Sequence, residues 1–206
     1  MISVLIADDQ GLIRDAFAAL LGLEHDLRVV GQASSVAEVV ALVVERSPDV
    51  VVMDVQMPGD GAVRDGIDAT AVIHRRVPST KVIIVTTFGR PGYLRRAMEA
   101  GASGFMIKDA PADHLIDGIR RVAQGLRVID PELAGSSLSI GASPLTEREA
   151  EVLQSAALGG STADIAGRVF LSEGTVRNYL SAAMGKVGAA SRTEAVRIAT
   201  ENGWIG

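Results

Sequence analysis

Three carboxylates, a hydroxyl and an amine stand at the ends of four separate apolar runs in this 206-residue chain. Asp8 and Asp9 follow ISVLIA, Asp54 follows VVVM, Thr86 follows VIIV, and Lys108 follows GFMI. In an open parallel sheet the strand ends converge on one crevice, so side chains far apart in sequence build a single polar site there. Carboxylates crowded together at neutral pH repel one another. A hard cation that takes oxygen ligands and keeps some waters, namely Mg²⁺, relieves that repulsion. Asp54 is then a candidate nucleophile, because carboxylates form acyl phosphates and the metal neutralises charge on the transferred group. Thr86 supplies a hydroxyl donor and Lys108 a point charge for phosphoryl oxygens. A lone strand-end Asp is ordinarily a cap or turn residue, and a lone Lys is ordinarily solvated. The coincidence on four strand ends is what sets these residues apart.

The elements that would position them are visible as a change of period. From Ile2 to about Gln124, short β-branched runs (ISVLIA, LRVVGQA, DVVVMDV, KVIIVTT, SGFMIK) alternate with stretches carrying apolar residues at helical spacing, such as Leu12, Ala16, Ala19 and Leu20. Strict alternation of strand and helix predicts right-handed crossovers and a parallel sheet covered on both faces. Pro48 and Pro78 precede the third and fourth runs, Gly101 follows a helical stretch, and Pro111 opens the last one. Hydrophobic residues make up 48% of the chain and aromatic ones only 3%, so the core must be built from Val, Ile, Leu and Ala.

Beyond Gly125 the pattern changes. Residues 126–142, with Pro131, Gly135, Gly141 and several serines, read as a linker, which divides the chain into 1–125 and 143–206. The second part reads as all-helical. Thr146 and Glu149 form a capping box ahead of an apolar face of Ala150, Leu153, Ala156 and Ala157, and Gly159-Gly160 stops that helix. A short helix over 163–169, a turn, a helix capped by Ser172 and running to about Val187, and a last helix over 191–202 follow. A short helix, a turn and a capped second helix can enter a DNA major groove. In that arrangement Ala163, Ile165 and Ala166 pack on Val176 and Leu180, leaving Glu173, Thr175, Arg177, Asn178 and Ser181 outward. Arg and Asn suit bidentate readout of guanine and adenine, and Thr, Ser and Lys suit phosphates.

The absence of cysteine excludes disulfides, thiol nucleophiles and cysteine metal sites. MISVLIADD lacks the basic start and cleavage site of a signal peptide, and no apolar stretch approaches the roughly 20 residues needed to span a bilayer. A cytoplasmic protein without membrane insertion is the expectation. The net charge of −5 argues against indiscriminate binding to nucleic acid, although it averages over both parts.

ADD at 7–9, MDVQMP at 53–58, the Thr86 strand end and GASGFMIKD at 101–109 together resemble the receiver domain of two-component response regulators. The resemblance implies a flavodoxin-like (βα)5 fold with a five-stranded parallel sheet in the order 2-1-3-4-5. It implies that Asp54 accepts a phosphoryl group from a phosphohistidine on a sensor histidine kinase. Asp9 and Asp54 would bind Mg²⁺ directly, with the Gln56 carbonyl as a third ligand and Asp8 acting through water. Thr86 and Phe105 would be the switch pair, Thr86 moving toward the phosphoryl oxygen and Phe105 turning inward to favour a dimerising face. Such a protein accepts and loses its own phosphoryl group and is not an enzyme acting on a separate substrate. One departure stands beside Asp54: between Pro58 and Gly66 the chain reads GDGAVRDG, a few residues longer than the family pattern.

LTEREAEVL, STADIAGRVFLSEGTVRNYL and ASRTEAV are similar to the four-helix output domain of NarL/FixJ (LuxR-type) regulators over about residues 143–206. That implies a recognition helix from about Ser172, with Arg177 and Asn178 facing bases, Lys186 near the backbone, and the last helix pairing two domains on a two-fold promoter site. TTFGRPGY at 86–93 with GTVRNY at 174–179 most resembles the DesR-type branch. The domain is not basic: Arg148, Arg168, Arg177, Lys186, Arg192 and Arg197 stand against Glu147, Glu149, Glu151, Asp164, Glu173, Glu194 and Glu201. Phosphate neutralisation supplies most non-specific affinity, so a single domain should bind weakly and homodimerisation should matter. Two other readings use the same residues. One is a Mg²⁺-dependent phosphoryl-transfer enzyme, although His25, His74 and His114 show no mutual spacing; the other is an interaction module that binds no DNA.

Overall fold

A computed structural model of the chain describes residues 1–87, 89, 91–130, 133–134 and 143–205. The chain divides into two compact units, the first made of Met1–Gly89 and Leu94–Ala134 and the second holding the C-terminal helices. In the first unit β1 (Ile2–Ala7), α1 (Gly11–Leu21), β2 (Leu27–Ala33), α2 (Val36–Arg46), β3 (Val50–Met53), α3 (Gly66–Arg76), β4 (Lys81–Thr86), α4 (Pro91–Glu99), β5 (Gly104–Ile107) and α5 (Ala112–Ala123) alternate as the sequence period requires. A short β6 (Val128–Ile129) follows. The sheet order is β2-β1-β3-β4-β5-β6, and every pairing is parallel.

The strands carry Val, Ile and Leu on both faces because helices cover both. Val4, Ile6, Val50, Val52, Ile83 and Val85 form one buried cluster with Leu21 of α1 and Leu115, Ile119 and Val122 of α5. The alternate set, Leu5, Val51, Met53, Ile84 and Phe105, is equally buried. It lies on the side of α2 and α3, where Leu42 approaches Leu5 at Gly31 and Met53 approaches Gly66. Each fully buried aliphatic side chain of this kind stabilises the fold by about 1.5–3 kcal/mol. Helix starts follow local chemistry: the Ser35 hydroxyl accepts the Glu38 N–H to open α2, and the Asp65 carboxylate accepts the Ile67 and Asp68 N–H groups to open α3.

Two expectations are corrected here. The sheet has six strands, because residues 128–129 pair with Gly104 and Phe105 at the edge beyond β5. That segment was expected to be linker; two residues are too few to show alternation. On α1, of Leu12, Ala16, Ala19 and Leu20 only Leu20 packs on the core, beside Phe17, Ala18 and Leu21, while Leu12 is 83% exposed. The helix is apolar on two sides, and periodicity alone cannot choose between them. The larger Phe17 and Leu21 remove more area from water, and that decides the buried side.

In the second unit α6 (Glu147–Ala157), α7 (Thr162–Val169), α8 (Glu173–Val187) and α9 (Arg192–Glu201) enclose a core that includes Val152, Leu153, Ile165, Val176, Leu180, Ala195 and Ala199. Each helix opens on a hydroxyl cap, from Thr146, Ser161, Ser172 and Ser191, and α6 and α7 carry complete capping boxes. Gly159 and Gly160, both at positive φ, end α6 as the sequence implies. Two members of the expected packing faces are instead exposed, Ala157 on α6 and Ala163 on α7; on α6 Val152 is buried, as is Glu149. No helix among the described residues is long and apolar enough to cross a membrane.

Candidate functional site

The four strand ends meet as the sequence requires. β1 lies between β2 and β3, so the chain reverses direction of winding there, and Asp8, Asp9 and Asp54 stand at that switch point. The Asp54 N–H donates to the Ala7 carbonyl at 2.8 Å, which locks β3's end beside β1's. One carboxylate oxygen from each of Asp8, Asp9 and Asp54 lies within 4.8 Å of the others. Asp8 and Asp54 are buried and Asp9 is exposed. The Lys108 ammonium, itself buried, reaches Asp8 Oδ2 at 2.7 Å and Asp54 Oδ2 at 3.1 Å, contacts of ion-pair distance without the alignment of hydrogen bonds. The Lys108 N–H donates to the Thr86 carbonyl at 2.8 Å, joining β5's end to β4's.

The electrostatics follow from burial. Loss of water pushes the Asp54 carboxyl above its usual range; the Lys108 cation opposes that shift, and the Asp8 charge adds to it. The nearby Gln56 backbone N–H acts in the opposite sense, favouring the anion. Burial also acts first against the Lys108 charge, but the carboxylates of Asp8 and Asp54 outweigh it and hold the amine above its ordinary value. Two buried carboxylates and one exposed one around a single amine leave excess negative charge, an oxygen-rich set that fits a small hard cation open to solvent on one side. Thr86 and Phe105 are both wholly buried, on the adjacent strands β4 and β5.

Gly66 explains how the longer 59–65 loop closes on this site. A Cβ there would lie 1.8 Å from the Asp54 carbonyl oxygen, so only glycine lets α3 start against the end of β3. The Gly66 N–H donates to the Val55 carbonyl at 3.0 Å, and the Val63 N–H donates to the Asp60 carbonyl at 3.2 Å within the loop. These contacts were not legible in the residue pattern.

On α8, Arg177, Asn178 and Ser181 are exposed, as expected, with Arg177 in a loose i,i+4 pair with Glu173 at 3.6 Å. Thr175 is half-buried, and its hydroxyl is 2.8 Å from the Ser172 cap. Lys186, 39% exposed, has a partner inside the unit. Its ammonium donates at 2.7 Å to Glu149, a buried carboxylate on α6 that also accepts the Thr146 N–H at 2.7 Å. The Lys186 ammonium and the Thr146 N–H hold the Glu149 carboxyl below its ordinary value of 4.5. The other cations of this unit also have internal acceptors: Arg148 pairs with Glu151, Arg197 with Glu201, Arg168 reaches the Ser155 and Gly159 carbonyls, and Arg192 the Gly160 carbonyl.

Residues 4–120 match the response regulator receiver domain, and residues 143–199 match the domain of bacterial regulatory proteins, luxR family. A doubly wound sheet with a carboxylate–lysine crevice, followed by a helix-turn-helix unit, defines a response regulator that acts on transcription. The chain is 45% identical over 205 residues to the transcriptional regulatory protein YvfU of Bacillus subtilis (strain 168), and 42% identical to DesR of the same organism, with 100% of each chain covered in both comparisons. The structure of RcsB from Salmonella enterica serovar Typhimurium bound to promoter rprA in the presence of phosphomimetic BeF3− is 25% identical, with a TM-score of 0.71 over 98% of this chain and 99% of that one. The chain belongs to the NarL/FixJ (LuxR-type) response regulators, with DesR and YvfU among its relatives.

Proposed function

We propose that Asp54 is the phosphoacceptor of this regulator and that its phosphorylation drives dimerisation and promoter binding. The observation that carries the reading is a buried Asp54 carboxylate held between Asp8 and the Lys108 ammonium at a strand end open to solvent through Asp9. An Asp54 oxygen attacks the phosphorus of a phosphohistidine on a sensor kinase. The P–O bond forms as the P–N bond breaks, and the imidazole leaves with a proton. Lys108 neutralises charge on the phosphoryl oxygens, and the Thr86 hydroxyl is the donor that moves toward them. Phe105, wholly buried on the neighbouring strand β5, completes the switch pair. Asp8, Asp9, Asp54 and the Gln56 carbonyl would hold Mg²⁺, which when bound supplies charge neutralisation at the transferred group.

The receiver occupies residues 1–125, the connecting segment 126–142 contributes β6 to the sheet, and residues 143–206 bind DNA through α8. Arg177, Asn178 and Ser181 face the duplex, and Thr175 supports them from the cap. RcsB, seen with promoter DNA and a phosphomimetic, supports the same order of events here. The protein acts in the cytoplasm, with no substrate other than its own phosphoryl group. The test is labelling of the full chain by acetyl phosphate with Mg²⁺, followed by gel filtration. Wild type takes up label and shifts to a dimer, and Asp54→Ala does neither; label retained in that variant refutes the assignment.

A further inference from the structure

The longer loop beside Asp54 is tied to α4 by one guanidinium. Asp65 spends one carboxylate oxygen on capping α3, accepting the Ile67 and Asp68 N–H groups at 2.9 and 2.8 Å. Its other oxygen accepts Arg96 Nη2 from α4 at 3.0 Å, and the same nitrogen lies 3.5 Å from Asp68 Oδ1. Asp68 in turn accepts the Arg64 backbone N–H at 3.0 Å, so the last turn of the loop is fixed from the same side. The Arg96, Asp65 and Asp68 side chains are each only about one-fifth exposed (19%, 23% and 21%), so these contacts are less screened than a surface pair. At the far end of the loop, the Val36 N–H donates to the Pro58 carbonyl at 3.1 Å. Directly after Asp65, Gly66 starts α3 against the end of β3, where an added Cβ would lie 1.8 Å from the Asp54 carbonyl oxygen, and its N–H donates to the Val55 carbonyl at 3.0 Å, so the Asp65 end of the loop sits against the backbone of the phosphoacceptor.

We propose that Arg96 is a positioning residue that holds the 59–65 loop closed as a wall of the phosphoacceptor crevice and thereby sets the lifetime of the acyl phosphate. The proposal rests on Asp54 being the phosphoacceptor. In hydrolysis, water attacks phosphorus, the bond from phosphorus to the Asp54 oxygen breaks, the carboxylate is regenerated and inorganic phosphate leaves. A wall pinned at both ends limits the approach of that water. Without Arg96 the loop keeps its Pro58 anchor and loses its tie to α4, so water reaches the phosphoryl group more readily while the acceptor itself is intact.

The experiment labels full-length protein with acetyl phosphate and Mg²⁺, removes the donor, and follows loss of label in wild type, Arg96→Ala, Arg96→Lys and Asp54→Ala. Arg96→Ala should take up label and lose it faster by a factor of about three or more, a change of roughly 0.7 kcal/mol in barrier. Arg96→Lys, which keeps the charge with poorer geometry, should fall between. Arg96→Gln carries the same expectation as Arg96→Ala should the latter not fold, and circular dichroism confirms the fold of each variant. Half-lives that agree within error across wild type and Arg96→Ala, or no restoration by Arg96→Lys, overturn the role of Arg96 while leaving Asp54 in place. Label in Asp54→Ala instead refutes the phosphoacceptor reading and this proposal with it.

Discussion

Replacing Lys186 by Met separates a structural lysine from a DNA-contacting one. The substitution keeps the aliphatic stem on α8 and removes the ammonium that Glu149 accepts at 2.7 Å, leaving that buried carboxylate with the Thr146 N–H. Breaking a fully buried ion pair costs about 3–5 kcal/mol and an exposed one under about 1 kcal/mol. Here Glu149 is buried but the Lys186 side chain is 39% exposed, so the cost falls between, about 1–2 kcal/mol. In a domain of this size that lowers the unfolding temperature by roughly 5–10 °C. The single tryptophan, Trp204, packs on the C-terminal core, so its emission follows the unfolding of this unit within the intact chain. The pH dependence has a definite sign. Glu149 titrates below its ordinary 4.5 in the folded state, so its contribution is full above that value and is lost as pH falls through the depressed one. The gap between wild type and variant should therefore be full at pH 7 and shrink below about 4.5. An unchanged unfolding temperature, with DNA affinity lost and the salt slope reduced by about one, would refute this reasoning and return Lys186 to a phosphate contact.

Gly66→Ala should destabilise the receiver by roughly 3 kcal/mol or more, because the added Cβ meets the Asp54 carbonyl and backbone cannot yield as a side chain does; a urea midpoint by circular dichroism equal to wild type would contradict it. Arg177→Ala should leave Trp204-monitored unfolding unchanged, since its tie among the described residues is the loose, exposed pair to Glu173, and should cost about 1–3 kcal/mol of operator affinity measured by fluorescence anisotropy. Equal affinity would remove Arg177 from the readout.

What the sequence makes legible follows from how strongly one physical requirement dominates. The strand ends are legible because buried parallel strands are almost wholly apolar, so Asp54 or Lys108 at a boundary stands out. Thr146 and Glu149, and Ser172, are legible because an N-cap needs a short acceptor at one position. Where two solutions compete, the pattern fails. α1 offers apolar residues on both sides, and β6 is recruited by a free sheet edge and carries no pattern of its own. Lys186 fits a phosphate as well as a carboxylate, and its pair with the buried Glu149 on another helix left no mark in the residue pattern. Arg96 gave no signal, because its partners lie on another helix 28 and 31 residues away.

Among the described residues of the C-terminal helices, Arg148, Arg168, Lys186, Arg192 and Arg197 have acceptors inside the unit and Arg177 has only a loose one, which bears on how a cell would read this regulator. A domain whose cations already have partners gains little from a random stretch of duplex, so an unpaired copy leaves it quickly and few molecules are held in reserve there. On the proposed function, in which two phosphorylated copies share one site, occupancy at low signal rises as the square of the phosphorylated fraction, and halving that fraction leaves roughly a quarter of the sites bound. On that reading, weak attraction by each half becomes a threshold: the site stays empty under stray phosphorylation and fills steeply as the phosphorylated fraction rises.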